Sequence, residues 1–124
     1  MLIEFSVKNY RSYNERVTFS MLGGPGNELP KHIFEECGFR GLRSAVIYGA
    51  NASGKSNLLK ALKFMRSFIM ISQIRPSTEV INVEPFMLEG HTMHEPSEFE
   101  VSFVANMTIH KYGFTATSAH VIRE

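Results

Sequence analysis

Polar and apolar positions come close to alternating at the start of the chain. Leu2, Phe5 and Val7 are interleaved with Glu4, Ser6 and Lys8, which approximates the two-residue period of a strand. Arg16 to Ser20 suggests a second strand, antiparallel to the first across a turn from Asn9 to Asn14. Gly23, Gly24, Pro25, Gly26 and Pro30 mark a loop. Ser44 to Tyr48 is a short apolar run, the pattern of a strand buried on both faces. A glycine-bounded loop follows it. From Ser56 to about Ser72 there is neither Gly nor Pro, and Leu58, Leu62, Met65 and Ile69 fall on one helical stripe. Leu59, Phe64 and Phe68 widen that stripe, so the helix is expected to be apolar over much of its circumference and well buried, ending before Pro76. After a loop with Pro85 and Pro96, Phe99 to Met107 and Thr108 to Ser118 read as two strands joined by a turn near Asn106. No internal repeat, low-complexity segment or linker interrupts the chain, so one domain or part of one is expected.

Composition narrows the class. In 124 residues, 44% are hydrophobic and 20% charged, which is globular composition rather than that of a disordered tail. With 13 basic against 12 acidic residues the chain is no general nucleic-acid glove, although a local basic face is allowed. Cys37 is the single cysteine, so an internal disulfide is excluded and a reducing compartment fits; as a lone thiol it reads as a small buried hydrophobe. The N-terminus lacks the features of a signal peptide, and the longest apolar stretch, Phe64 to Ile71, contains Arg66 and is too short to span a bilayer. A cytoplasmic protein with no membrane partner is expected by elimination.

Gly49-Ala50-Asn51-Ala52-Ser53-Gly54-Lys55-Ser56 fits G-x-x-x-x-G-K-[ST] in full. The glycines allow the backbone to turn and to approach a phosphate without an intervening Cβ. Successive N–H groups of the loop and of the helix start converge on one concavity and bind an anion. Lys55 adds a charge able to reach the β- and γ-phosphates of a nucleotide, and the Ser56 hydroxyl can take one place around Mg²⁺. The motif needs a strand before it and a helix after it, and both are expected on independent grounds. Charge adds to this picture: between Glu36 and Glu79 there is no acidic residue, while Arg40, Arg43, Lys55, Lys60, Lys63, Arg66 and Arg75 supply seven positive charges. Those charges read either as a solvated helix face or as a positive field around an anion site.

The chain also lacks parts. All 12 acidic residues are Glu, so no Asp is available to hold a metal at the end of an apolar strand, and the guanine-specific N-K-x-D motif is impossible. Glu98 and Glu100 lie at the start of an expected strand rather than at its end. No catalytic residue can be named, and efficient hydrolysis by this chain alone is not expected. His91 and His94 lie in a Pro-flanked stretch and read as solvated loop residues rather than as zinc ligands with Cys37.

The run into Asn9-Tyr10-Arg11-Ser12, followed by Val46-Ile47-Tyr48 and the loop through Asn57, resembles the opening of SMC/RecF-like, ABC-type ATPases. More narrowly it is similar to the bacterial AAA-family ATPases of the abortive-infection, RloA-like group. Pro85-Phe86-Met87-Leu88, Pro96 to Val101 and Tyr112-Gly113-Phe114 resemble that group as well. The resemblance implies an α/β P-loop NTPase N-terminal lobe: a mixed sheet with an antiparallel portion and one long helix after the P-loop. Residues 1–124 would form a partial ATPase head domain with its Walker A loop at 49–56, its C-terminal lobe absent.

Gly49, Ala50, Asn51, Ala52, Ser53, Gly54, Lys55, Ser56 and Asn57 would then bind ATP, with Ser56 on Mg²⁺, and Arg11, at the arginine of an N-F-R-S pattern, would lie near the nucleotide. For Arg11 the alternative is a surface charge in a turn. The glutamine loop, signature, Walker B Asp-Glu and switch histidine of the family come after Glu124. Gln73 is too close to Lys55 to serve as the first of these, and Leu22-Gly23-Gly24 precedes the P-loop and so is no signature. The resemblance implies ATP hydrolysis by a whole head, two heads forming a homodimer, the missing C-terminal half as immediate partner, and DNA with a nuclease or effector beyond it, in phage defence or DNA transactions. Two other readings stand beside it: a non-enzymatic nucleotide- or DNA-binding module, and a small P-loop kinase. The 48 residues before the loop and the missing Asp argue against the kinase.

Overall fold

The alternation at the N-terminus forms β1 (Leu2–Lys8), and β2 (Val17–Ser20) pairs antiparallel to it with Phe5 opposite Phe19. The computed structural model describes residues 1–26, 30–72 and 81–124. After β2 come a single turn of 3₁₀ helix (Pro30–His32), the hairpin β3 (Ile33–Glu36) and β4 (Phe39–Leu42), and the helix α1 (Lys55–Ser72). β5 (Ser97–Ala105), β6 (Thr108–Ala116) and β7 (Val121–Arg123) complete the chain. Five strands make one sheet in the order β2-β1-β5-β6-β7, antiparallel throughout, and β3-β4 form a separate two-stranded ribbon. The architecture is mixed α/β, an antiparallel sheet with one helix.

The pleat explains which face is buried. On β1, Phe5 and Val7 point inward, and on β5 and β6 Phe99, Phe114 and Ala116 point the same way. Leu58, Ala61 and Met65 of α1 meet them, and Ile81 and Val83 close the same core. Aromatic rings fill its centre. Phe64 lies 5.1 Å from Phe99, and Phe68 stacks on Phe114 at 4.2 Å between ring centroids. The opposite face of the sheet carries the intervening polar residues. There Glu98 pairs with Lys8 and Arg16, and Glu100 with Lys111. These two glutamates are thus part of a charged ladder on the face turned away from α1.

A buried asparagine ties the loop after residue 81 to the end of β1. Asn9 is almost wholly buried. Its side-chain amide donates to the carbonyls of Thr92 and Glu95, each at 2.9 Å, and its side-chain oxygen accepts from the Phe86 N–H at 3.0 Å. Its φ of 49° lies in the left-handed region that Asn tolerates better than most residues. Asn9→Ala leaves the backbone groups of Phe86, Thr92 and Glu95 without this partner, and a loss of about 3 kcal/mol is expected. Urea unfolding checks this; a loss below roughly 1 kcal/mol would contradict the assignment.

Four sequence expectations change. Ser44 to Tyr48 is not a buried strand: it has no regular secondary structure and no strand partner among the described residues, with Val46 82% and Tyr48 88% exposed. A strand exists only through its ladder, and no strand among the described residues lies alongside this one. The sheet is accordingly not mixed: every pairing among the described residues is antiparallel. α1 is buried on one face only, and Leu59, expected to widen the apolar stripe, is 63% exposed. Cys37 is exposed at the tip of the β3-β4 hairpin, at φ 56°, because the two-residue turn Cys37-Gly38 projects it outward.

The hairpin and β7 were not legible in the chain. Glycine decides the hairpin: a Cβ on Gly41 would lie 2.4 Å from the ring of Phe34, so only glycine lets that ring cross β4. Leu22 bridges to Gly41, so Leu22-Gly23 is part of the hairpin's attachment. Gln73, Arg75 and Pro76, on which the helix end and the glutamine-loop argument turned, lie outside the described residues. No helix among the described residues is long and apolar enough to cross a membrane.

Candidate phosphate-binding site

The helix after the loop begins at Lys55, one residue before the run from Ser56 in which the sequence places it. Gly54 stands immediately before it at φ 89°, a conformation that L side chains rarely adopt. Its carbonyl accepts from the N–H groups of Asn57 at 2.8 Å and Leu58 at 3.3 Å, the first helical bonds. Ala52 is also left-handed, at φ 63°. Left-handed residues on either side of Ser53 curl the chain so that successive N–H groups face one concavity. The N–H groups of Gly54, Lys55 and Ser56 have no acceptor among the described residues. The first turn of α1 carries no acidic residue, so nothing neutralises the positive end of the helix dipole there. Ala52, Ser53, Gly54, Lys55, Ser56 and Asn57 line an open depression of about 330 Å³.

Lys55 folds back over the loop. Its ammonium donates to the carbonyls of Gly49 at 2.7 Å and Ala50 at 2.5 Å. Gly49 is close to Ser53, whose hydroxyl would lie 3.2 Å from a Cβ at position 49. Ser56 lines the depression and is exposed, and Asn51 is exposed as well. A polyphosphate fits this set of donors: free N–H groups, one ammonium held by exchangeable carbonyl contacts, and one hydroxyl for a divalent cation. Among the described residues no group of three His, Cys or Glu side chains is placed to hold a metal ion.

The turn after β1 is docked on this loop. Tyr10 and Tyr13 exchange backbone hydrogen bonds at 2.9 Å, with Arg11 and Ser12 between them and Arg11 left-handed at φ 53°. Ser12 accepts from the Asn57 side-chain amide at 2.8 Å, and the Tyr13 hydroxyl donates to the Gly54 carbonyl at 2.8 Å. Burial pushes the Tyr13 phenol up from its ordinary value, against a hydrogen bond from the Leu58 backbone that pulls it down, so it stays a protonated donor. Arg11 itself turns to Glu84, donating to its carboxylate at 2.5 Å, while its backbone N–H holds the Glu84 carbonyl. The structure thus brings Asn57 and the 49–56 loop together with the turn that holds Arg11, and ties the Arg11 side chain to a carboxylate. Ser12 and Tyr13 are the contacts that reading the sequence missed. The only signal for them was their place beside Arg11.

Of the seven cations between Glu36 and Glu79, two belong to the hairpin rather than to the loop. Arg40 contacts Glu35 and the Gly26 carbonyl, and Arg43 holds the Ile33 carbonyl, so both serve the β3-β4 hairpin. Lys60, Lys63 and Arg66 lie on the exposed side of α1. Arg75 is outside the described residues. His91 and His94 are exposed.

Residues 44–124 match the family model of the AbiEii-toxin-like AAA domain of type IV TA systems. That range starts just ahead of the phosphate loop and includes α1, β5, β6 and β7. No curated protein and no solved structure shows a match.

Proposed function

Because the chain belongs to the AbiEii-toxin-like AAA domain family, we propose that it is the ATP-binding N-terminal lobe of an SMC/RecF-like, ABC-type ATPase head. The observation that carries this reading is the loop at 49–56, where two left-handed residues, unpartnered N–H groups and Lys55 stand at the start of a helix with no acidic first turn. In this reading the backbone from Asn51 to Lys55 cradles the phosphates, Lys55 releases the loop carbonyls to neutralise phosphate charge, and the Ser56 hydroxyl takes one position on Mg²⁺. The metal, when bound, neutralises charge on the phosphate oxygens. Arg11 would act near the nucleotide once release from Glu84 frees its guanidinium.

The exposed run from Ser44 to Tyr48 supports a second element of the proposal. An apolar segment with no ladder is suited to pairing with a strand of the C-terminal half of a head, which would also supply the Asp that this chain lacks. Homodimeric heads, a nuclease or effector partner, and a role in phage defence belong to the same proposal. Ser56→Ala tests the metal-bearing part. The parent chain should bind ATP more tightly with Mg²⁺ than with EDTA, and the variant should lose most of that difference. An identical Mg²⁺ effect in both would remove Ser56 from the site.

One observation favours a second reading as a passive nucleic-acid binder. Lys60, Lys63 and Arg66 recur at helical spacing on exposed α1, without a carboxylate partner among the described residues. Salt-dependent DNA binding that persists in Lys55→Ala would support it.

A further inference from the structure

The turn between β1 and β2 touches the phosphate loop through a hydroxyl that the motif itself does not contain. Three donors surround the Gly54 carbonyl. Two of them, the N–H groups of Asn57 and Leu58, belong to the same loop-helix unit. The third, the Tyr13 hydroxyl at 2.8 Å, comes from the sheet side of the molecule, 41 residues earlier in the chain. The ring behind it is packed against the aromatic and aliphatic core, so the hydroxyl is delivered from a fixed base. The fit is close: a Cβ at position 54 would lie 3.0 Å from the Ser12 hydroxyl and 3.5 Å from that of Tyr13.

A trans peptide carries its C=O and the following N–H in opposite directions. Holding the Gly54 carbonyl toward Tyr13 therefore directs the Lys55 N–H the other way, to the side where it has no partner among the described residues. Glycine at position 54 makes such a hold useful. The residue that the loop needs for its left-handed turn is also the residue least able to stop that peptide from rotating.

We propose that Tyr13 is a positioning residue for the phosphate loop: its hydroxyl fixes the Gly54–Lys55 peptide and the first turn of α1 so that the Lys55 and Ser56 N–H groups are presented to a phosphate. The phosphate in this statement rests on the nucleotide-binding reading above; the hold on the loop does not. Tyr13 touches the loop's outer side and acts through Gly54. It therefore tunes affinity for the phosphate part of a ligand.

Tyr13→Phe in the full chain tests this, because it removes the hydroxyl and keeps the ring in the core. Two readouts are taken, MgATP affinity by calorimetry and amide hydrogen exchange at Lys55 and Ser56 without nucleotide. The expected result is an affinity about three- to tenfold weaker, with faster exchange at those two amides and a melting temperature lower by a few degrees at most, the scale of one hydrogen bond. Parent-like affinity together with parent-like exchange overturns the proposal. If the parent chain itself binds no MgATP, the nucleotide reading falls, and exchange alone decides the hold on the loop: faster in the variant upholds it, equal rates overturn it.

Discussion

Lys55→Ala is expected to weaken MgATP binding by about 100-fold or more while leaving the fold intact. The ammonium donates to the Gly49 and Ala50 carbonyls, groups at the surface that water can serve equally well. Removing it therefore costs the folded chain little, and a melting temperature within about 2 °C of the parent is expected. A bound polyphosphate is different. A hydrogen bond from an ammonium to an anionic oxygen is worth roughly 1.5–3 kcal/mol, and Lys55 can make two, which passes the ~2.7 kcal/mol equivalent of 100-fold. Calorimetric titration of parent and variant measures the ratio. Equal affinities in the two proteins would mean that nucleotide, if bound, does not use this loop.

Phe99→Ala is expected to have the largest effect on stability, a loss of about 3–5 kcal/mol. The ring is 2% exposed, and its centroid lies 5.3 Å from Tyr10, 5.1 Å from Phe64 and 5.0 Å from Phe114. It is the point where β5, β6, α1 and the turn after β1 meet. Domains of this size have roughly 5–15 kcal/mol of stability in total, so the variant should be largely unfolded at moderate urea, where the parent is folded. A midpoint close to the parent's would show that the core tolerates a cavity at its centre. The site should suffer as well: Tyr10 loses its edge-to-face partner, and Tyr10 anchors the turn that carries Ser12 and Tyr13 to the phosphate loop.

What was legible in the sequence depended on how local the cause was. β1, β2, β5 and β6 follow from period-two alternation with turn residues between them. α1 follows from the absence of Gly and Pro and the stripe through Leu58, Leu62, Met65 and Ile69. The G-x-x-x-x-G-K-S motif was readable because eight consecutive residues carry it, and the structure sets them as a loop with left-handed Ala52 and Gly54 at the start of α1. The Ser44–Tyr48 run illustrates the limit: its composition suits a buried strand, but burial depends on a neighbouring strand, and none of the described strands is placed there. The β3-β4 hairpin was hidden because its cause is a tertiary fit, the Phe34 ring passing over Gly41. Cys37 misled for the same reason, since a hairpin tip exposes whatever occupies it. Tyr13 could not be found from the sequence because its partner is 41 residues away and is a backbone carbonyl, which leaves no mark on residue type.

The central claim is that a nucleotide's phosphates are held at 49–57, on the helix side of the sheet. Titrating the isotope-labelled chain with MgATP and following backbone amide shifts tests it most directly. The account predicts that the largest shifts fall on Gly49 to Asn57, with Ser12 and Tyr13 following through their contacts to that loop. Shifts confined to the charged cleft around Arg16, Lys111 and Gly113, on the opposite face, would contradict it. So would a chain whose amides do not respond to MgATP at all.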